Sequence, residues 1–406
     1  MTQRLYYTDP YLRLFDATIE RVDRRDDRHR VTLDRTAFYP TSGGQPFDTG
    51  SLGPLRVIDV VDEDDGSITH VVEPGPLNLE AGQPIQGVID WARRFDHMQQ
   101  HSGQHVLSAA FDRLFGARTV SFHLGGAVST IDLAREMSPS DIAAAETEAN
   151  RIVWEDRPVT IRFADADEAA RLPLRKEPAR GGTLRLIDVD GFDLSACGGT
   201  HVARTGAIGV IAVASWERFK GGQRLEYLAG GRALGGYRTL RDAMTASVRL
   251  LSVLPAELAP AIERLQADAR DQKRALAGLQ NVLARYRAGE LAAGAEEIRL
   301  GASASGAARV HRLIARAIDT DANGLKSLAA AAAATPGLLV VLVSTSTPGI
   351  VVIARSSDVD ISAQELLKKL MVEFGGRGGG KPEMSQGGGL TATAESIFEA
   401  VRSSLR

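Results

Sequence analysis

His97-Met98-Gln99-Gln100-His101-Ser102-Gly103-Gln104-His105-Val106-Leu107 is the stretch whose reading decides the fold. His101 and His105 are four residues apart. On a helix that spacing stacks two imidazoles on one face, within reach of a single ion. Val106, Leu107 and Ala110 give the same helix an apolar side. A second stretch, Ser195-Ala196-Cys197-Gly198-Gly199-Thr200-His201, adds a thiol and a third imidazole, again four apart. Its two glycines let the backbone turn sharply. Three nitrogens and one sulfur suit tetrahedral zinc. Singly, each residue has a plainer reading: a lone histidine is more often a packed or surface residue, and a lone cysteine a small buried hydrophobe. The two spacings fit one another, and one of them contains the chain's only cysteine. That makes His101, His105, Cys197 and His201 a candidate site for one zinc ion. A zinc peptidase is the rival, but it needs a glutamate directly after the first histidine as general base, and Ser102 stands there.

Working outward, residues 1 to 90 read as short strands, and the expectation is a small β-barrel. Arg30-Val31-Thr32-Leu33-Asp34 and Leu55 to Val61 alternate or run β-branched, and clusters such as Asp64-Asp65-Gly66 punctuate them. Trp91 to Phe115 reads as the central helix, with Leu107, Phe111, Leu114 and Phe115 on its core side. Strands are expected over 121–125, 128–133, 184–189 and 207–213. A helix from Ser138 to Trp154 opens on Ser138-Pro139-Ser140-Asp141, an N-cap signal. Residues 91–235 therefore read as an α+β domain. His97 and His123 are further imidazoles without an assigned role. Arg224 reads equally well as a phosphate contact or as a solvated surface arginine.

From Pro260 to Arg287 apolar residues fall alternately three and four apart, Ile262, Leu265, Ala269, Gln272, Leu276, Leu279, Leu283 and Tyr286. Residues 236–297 are expected to form a helical linker, packed within the chain or against a second subunit. Residues 298–406 are expected to be an α/β domain. Val310–Ile318, 325–334, 363–374 and 392–405 read as its helices, and 338–343 and 350–354 as buried strands. Between the last two helices lies a glycine-rich loop from Gly375 to Gly389. Bare N–H groups there, with Arg377 and Lys381, can hold phosphate.

The 406 residues allow two or three domains, each large enough for a core. Apolar content of 44% and charged content of 24% are ordinary for a globular protein. The net charge, 48 minus 51 or −3, does not indicate a generally cationic nucleic-acid binder, so RNA contacts must come from local patches. One cysteine excludes a disulfide framework within the chain. No apolar signal core opens the sequence, and no run approaches the roughly 20 apolar residues of a membrane span. The expected setting is the cytosol, where Cys197 stays reduced and free to bind metal.

The two metal-site stretches, together with Thr36-Ala37-Phe38-Tyr39-Pro40-Thr41-Ser42-Gly43-Gly44-Gln45-Pro46, resemble the editing domain of alanyl-tRNA synthetase. No aminoacylation domain precedes them. The chain therefore resembles the free-standing AlaX family of trans-editing proteins. Gly375-Gly376-Arg377-Gly378-Gly379-Gly380-Lys381-Pro382-Glu383-Met384 resembles the C-terminal tRNA-binding domain of the same synthetase, as in the long form of the family. The resemblance implies hydrolysis of the ester between transfer RNA for alanine and a wrong amino acid, serine or glycine. It implies that the loop carrying Gly43 and Gly44 faces the zinc site. Thr36 then helps recognise a serine side chain, and Gln45 lines the same polar pocket. The family often has a glycine where Ser42 stands.

In such a reaction zinc can polarise the ester carbonyl, activate a water, or grip the substrate amine or ribose. With all four ligands bound, no position stays open for water without expansion to five. A pocket that rewards a hydroxyl would spare cognate alanine. Two other readings stand beside this one. One is a threonyl-tRNA editing enzyme, whose domain shares the HxxxH and Cys/His pairs. The other is a zinc-stabilised RNA-binding protein without catalysis. The C-terminal domain type also accompanies DHH phosphoesterases, but those need an Asp-His-His run that is absent from this chain.

Overall fold

The computed structural model describes residues 1–25, 28–74, 79–175, 183–300, 309–346 and 348–405. They form two compact units, Met1–Ser247 and Val248–Arg406. In the first unit six strands close into a barrel. The order is Leu14–Arg25, Arg28–Leu33, Ile68–Val72, Leu55–Asp62, Gly50–Leu52 and Pro84–Ile89, returning to the first. Alternating inward residues such as Phe15, Ile19, Val31, Leu33, Val57 and Val60 fill it.

The central helix, Trp91–Phe115, starts where the Asp90 side chain accepts the Arg93 N–H and stops at Gly116, in the left-handed region at φ +60°. Its moment toward one side is weak because it is buried nearly all round from Met98 to Phe111. Barrel and helix are tied by Arg94, which is fully buried. Its guanidinium pairs with Asp48 and donates to the carbonyls of Pro10 and Ala37. Two sheets flank the helix: a four-stranded one, Ile211–Phe219, Gly222–Ala229, Ser129–Leu133 and Thr119–Leu124, and a three-stranded one, Val159–Ala164, Leu184–Val189 and Asp193–Ala196. The helix Pro139–Trp154 opens on the expected cap, a full capping box between Ser138 and Asp141. The strand expected over 207–213 is instead a short 3-10 turn, Thr205–Ile208, followed by the strand Ile211–Phe219.

The second unit has a mixed sheet of six strands, in the order Glu296–Leu300, Arg309–Ile318, Leu338–Ser344, Gly349–Arg355, Met384–Leu390, Arg377–Gly380. Two expectations are corrected here. Val310–Ile318 is a strand rather than a helix. It runs parallel to Leu338–Ser344 and antiparallel to Glu296–Leu300, and puts Leu313 and Ala315 into one core and Ile314 into the other. A segment apolar on both faces has no period of its own, and its sheet partners decide its conformation. The glycine-rich loop is largely a hairpin: Arg377–Gly380 pairs with Met384–Leu390. A Cβ at Gly378 would run into the Gln386 carbonyl, so glycine is what permits this pairing.

The helix Leu258–Ala293 buries Ala284 and Ala288 but not its heptad positions. Leu265, Leu279 and Tyr286 are 57%, 68% and 77% exposed. Among the described residues, no single helix is long and apolar enough to cross a membrane.

Candidate active site

His101, His105, Cys197 and His201 converge in the first unit. One ligand atom from each lies within 4.8 Å of all the others. Cys197 Sγ is 3.4 Å from His101 Nε2 and 3.3 Å from His201 Nε2. The ring centres stand 4.4 Å apart for His101 and His201, 4.6 Å for His105 and His201 and 5.4 Å for His101 and His105. The helix supplies the first two ligands, one turn apart. The strand Asp193–Ala196 runs directly into the turn that supplies the other two.

Each imidazole is held at its far nitrogen. His101 Nδ1 donates to Gln45 Oε1 (2.8 Å), and His105 Nδ1 to the Asp193 carboxylate (2.9 Å). His201 Nδ1 lies 3.1 Å from Ser102 Oγ. The proton on Nδ1 leaves the Nε2 lone pair free, as a metal ligand requires. Asp193 is fixed in turn by Arg175 (2.6 Å) and Ser195. Burial alone would lower the basicity of His105, but the bond to Asp193 and the neighbouring Cys197 outweigh it and raise its pKa to about 9, so a metal ion bound at Nε2 displaces a proton there. Burial would also push the Cys197 thiol up, yet His101 and His201 beside it bring it well below its ordinary value. A thiolate among three imidazoles with outer-shell partners is a donor set that fits a divalent metal ion.

Beside the cluster lies a cavity of about 400 Å³, with His101, Cys197, Gly198, Gly199, Ser42, Gly43 and Tyr39 among its walls. Gly43 and Gly44, at φ +53° and +79°, turn the chain so that Ser42 and Gln45 pair backbone to backbone. Ser42 does not prevent this turn. Gly199 has the tightest constraint: a Cβ there would collide with the His101 ring and meet Gln45 Oε1 at 3.0 Å. Gly199→Ala is therefore expected to push His101 off its position and weaken metal binding by about tenfold to a hundredfold, the size of a lost outer-shell contact. Competition against a chelator measures this, and unchanged affinity would mean that the ring has room to move.

The sequence-derived residues are not all brought to the cavity. His101, Cys197 and Gly43 come together at the cavity, and His105 and His201 complete the cluster beside it. Gln45 is fully buried behind it, accepting from His101 and from the Thr200 N–H and donating to Thr200 Oγ1, which makes it a positioning residue. Thr36 is not brought to the cavity. His70 Nδ1 donates to the Val31 carbonyl, so the Thr36 hydroxyl donates to His70 Nε2 (2.8 Å), and it accepts the Phe38 N–H. Arg224 pairs with Asp132 (2.7 Å) and stacks on Phe219 (3.7 Å). Arg377 and Lys381 are exposed on the hairpin of the second unit. His97 and His123 lie outside the cluster.

Sequence reading missed Asp193, Arg175, Ser102 as a histidine partner, and Arg185. The Arg185 guanidinium donates to the carbonyls of Cys197 (2.7 Å) and Gly199 (2.9 Å) and so shapes the turn between two ligands. Asp193 stands four residues before Cys197, and an acid at that spacing on a strand was the only signal available.

Three family models match: the threonyl and alanyl tRNA synthetase second additional domain over residues 184–226, class II (A) tRNA synthetases over 11–93, and the DHHA1 domain over 310–406. The alanyl-tRNA editing protein AlaX-L of Pyrococcus horikoshii is 31% identical, over 100% of this chain and 99% of its own length. The chain belongs to the AlaX family. AlaX-M of Methanosarcina acetivorans is 38% identical over 52% of this chain and 92% of its own length. The alanine–tRNA ligase of Pyrococcus abyssi is 31% identical over 95% of this chain, which spans 42% of that longer protein.

Proposed function

We propose that this chain hydrolyses the ester joining serine, or glycine, to the 3′ end of transfer RNA for alanine, acting in the cytosol with one zinc ion held by His101, His105, Cys197 and His201. The carrying observation is that a 400 Å³ cavity, large enough for an aminoacylated terminal ribose, opens directly onto His101 and Cys197. When bound, the metal supplies a positive centre for the ester carbonyl, the amine or the ribose.

The chain's own residues do the rest. Gln45, Asp193 and Ser102 hold the imidazoles in one orientation. Arg185 holds the turn of Gly198 and Gly199, whose bare backbone lets the substrate come close. Tyr39, Ser42 and Ser121 put hydroxyl oxygens around the cavity, and a serine hydroxyl placed there replaces its water partners where a methyl cannot. Tyr39 donates to the Ser42 carbonyl (3.0 Å), and Thr36, which accepts the N–H of the neighbouring Phe38, supports this wall from behind. Arg377 and Lys381 are the proposed contacts to the RNA backbone, with Arg224, paired to Asp132 but partly exposed, as a further one. The exposed heptad face of Leu258–Ala293 fits a second copy of the chain.

The test is release of amino acid from purified transfer RNA for alanine charged with serine, glycine or alanine, with threonine on its own transfer RNA as a fourth arm. Expected is fast release of serine or glycine and slow release of alanine, lost on metal removal and restored with zinc. Faster release of threonine points to the threonyl system instead. Binding without release in any arm points to an RNA-binding protein.

A further inference from the structure

Gln104 stands between the two helical ligands and is only 2% exposed. Its amide nitrogen donates to Ser108 Oγ (2.8 Å), and Thr119 donates to the same oxygen (2.8 Å), which anchors that end of the side chain. Its other end is unsatisfied: Oε1 is buried and has no partner among the described residues. A buried carbonyl oxygen left unpaired costs about 1–3 kcal/mol, so native proteins fill such positions with water or a ligand group.

The surroundings identify which. Gln104 lines a small cavity of about 60 Å³ together with His105, Cys197, Ser121 and Arg175. That is room for water but not for an amino acid. The small cavity adjoins the large one: Val120, Ser121, Phe122, Ala196 and Cys197 line both. A water-sized space therefore lies next to the space for an ester, with Gln104, whose Oε1 is unpaired, among its walls and the His/Cys cluster beside it.

We propose that Gln104 is a positioning residue for the hydrolytic water. Its Oε1 takes one hydrogen of a water held in the small cavity and leaves the oxygen lone pair facing an ester carbonyl in the adjoining one. The water oxygen bonds to the carbonyl carbon, the bond from that carbon to the ribose oxygen breaks, and one water proton ends on that ribose oxygen. The amide gains neither proton nor charge, so only water and ester are consumed. The inference rests on the reading of the His/Cys cluster as the place of hydrolysis.

Gln104→Leu keeps much of the volume and removes the acceptor, whereas Gln104→Glu keeps an acceptor. Expected for the leucine variant is a fall in kcat of about a hundredfold to a thousandfold, the size seen when one aligned polar group is lost from a reacting centre. Its KM should stay within about twofold, with metal content and melting temperature unchanged. The glutamate variant should recover most of kcat. A crystal structure of the metal-free wild type should show an ordered water within hydrogen-bond distance of Oε1, and the leucine variant should lack it.

Wild-type kcat in the leucine variant overturns the proposal. So does a loss of metal or of thermal stability that accounts for the fall, or a glutamate variant as slow as the leucine one. Absence of the water from wild-type crystals overturns it whatever the activity. Inactivity of the wild type on every charged transfer RNA defeats the parent reading instead, and the crystallographic water separates the two failures.

Discussion

Cys197→Ala should abolish both metal retention and ester hydrolysis. The change removes the only thiolate in the chain and leaves three imidazoles. Losing an outer-shell partner typically costs tenfold to a hundredfold in metal affinity, so losing a charged ligand should cost on the order of a thousandfold or more. The thiol's position well below its ordinary value makes the loss larger, because a ready anion is what is removed. Elemental analysis after dialysis should fall from one metal per chain toward none, and serine release should fall with it. The fold should persist, since the barrel core and the Arg94 anchor lie apart from the thiol. Full metal content together with full activity in this variant would falsify the four-ligand assignment. Full metal content without activity would move Cys197 from the metal to the reaction itself.

Arg94→Met is the second large effect, and it concerns stability. Arg94 and Asp48 are both completely buried, and Asp48 also accepts the Tyr39 N–H. Removing the guanidinium leaves a carboxylate with no countercharge and two carbonyls, of Pro10 and Ala37, without that donor. Breaking a buried pair from one side typically costs about 3–5 kcal/mol. For a unit of this size that corresponds to a fall of roughly 10 °C in melting temperature. Pairing the change with Asp48→Asn removes the stranded charge and should recover part of the loss, a coupling that a double-mutant cycle reads directly. A single variant melting within about 2 °C of wild type would show that the barrel and the helix are held by apolar contact alone. Because Asp48 also fixes the backbone at Tyr39, activity should fall in parallel with the cavity wall.

Much of the site was legible because metal chemistry constrains spacing. Ligands at i and i+4 on a helix must share a face, so His101 and His105 could be read as a pair before any fold was known. The cap at Ser138, the stop at Gly116 and the helix Ala363–Phe374 were equally local. A cap is a bond between residues three apart, and a glycine stop is a matter of one φ angle.

Several contacts set by a partner distant in sequence were not legible in it. Val310–Ile318 carries a pattern that suits helix or strand, and only the neighbouring Glu296–Leu300 and Leu338–Ser344 make it a strand. Thr36 has the right chemistry for a substrate hydroxyl, but His70, 34 residues away, already takes its proton. Gln45 was placed in the pocket and stands instead behind His101, 56 residues on, where it fixes a tautomer.

The sequence by itself determined the two His/Cys motifs that form the cluster, the central helix, the barrel's strand pattern and the family, since each rests on short spacings and on residue chemistry that survives in any context. Only the tertiary structure decided which polar groups are already satisfied. Asp193, Ser102 and Gln45 became orienters and Thr36 became a barrel contact because a hydrogen bond needs its partner within about 3 Å. Gln104 was left with an unpaired oxygen for the same reason, and no pattern in one dimension says which distant groups will meet.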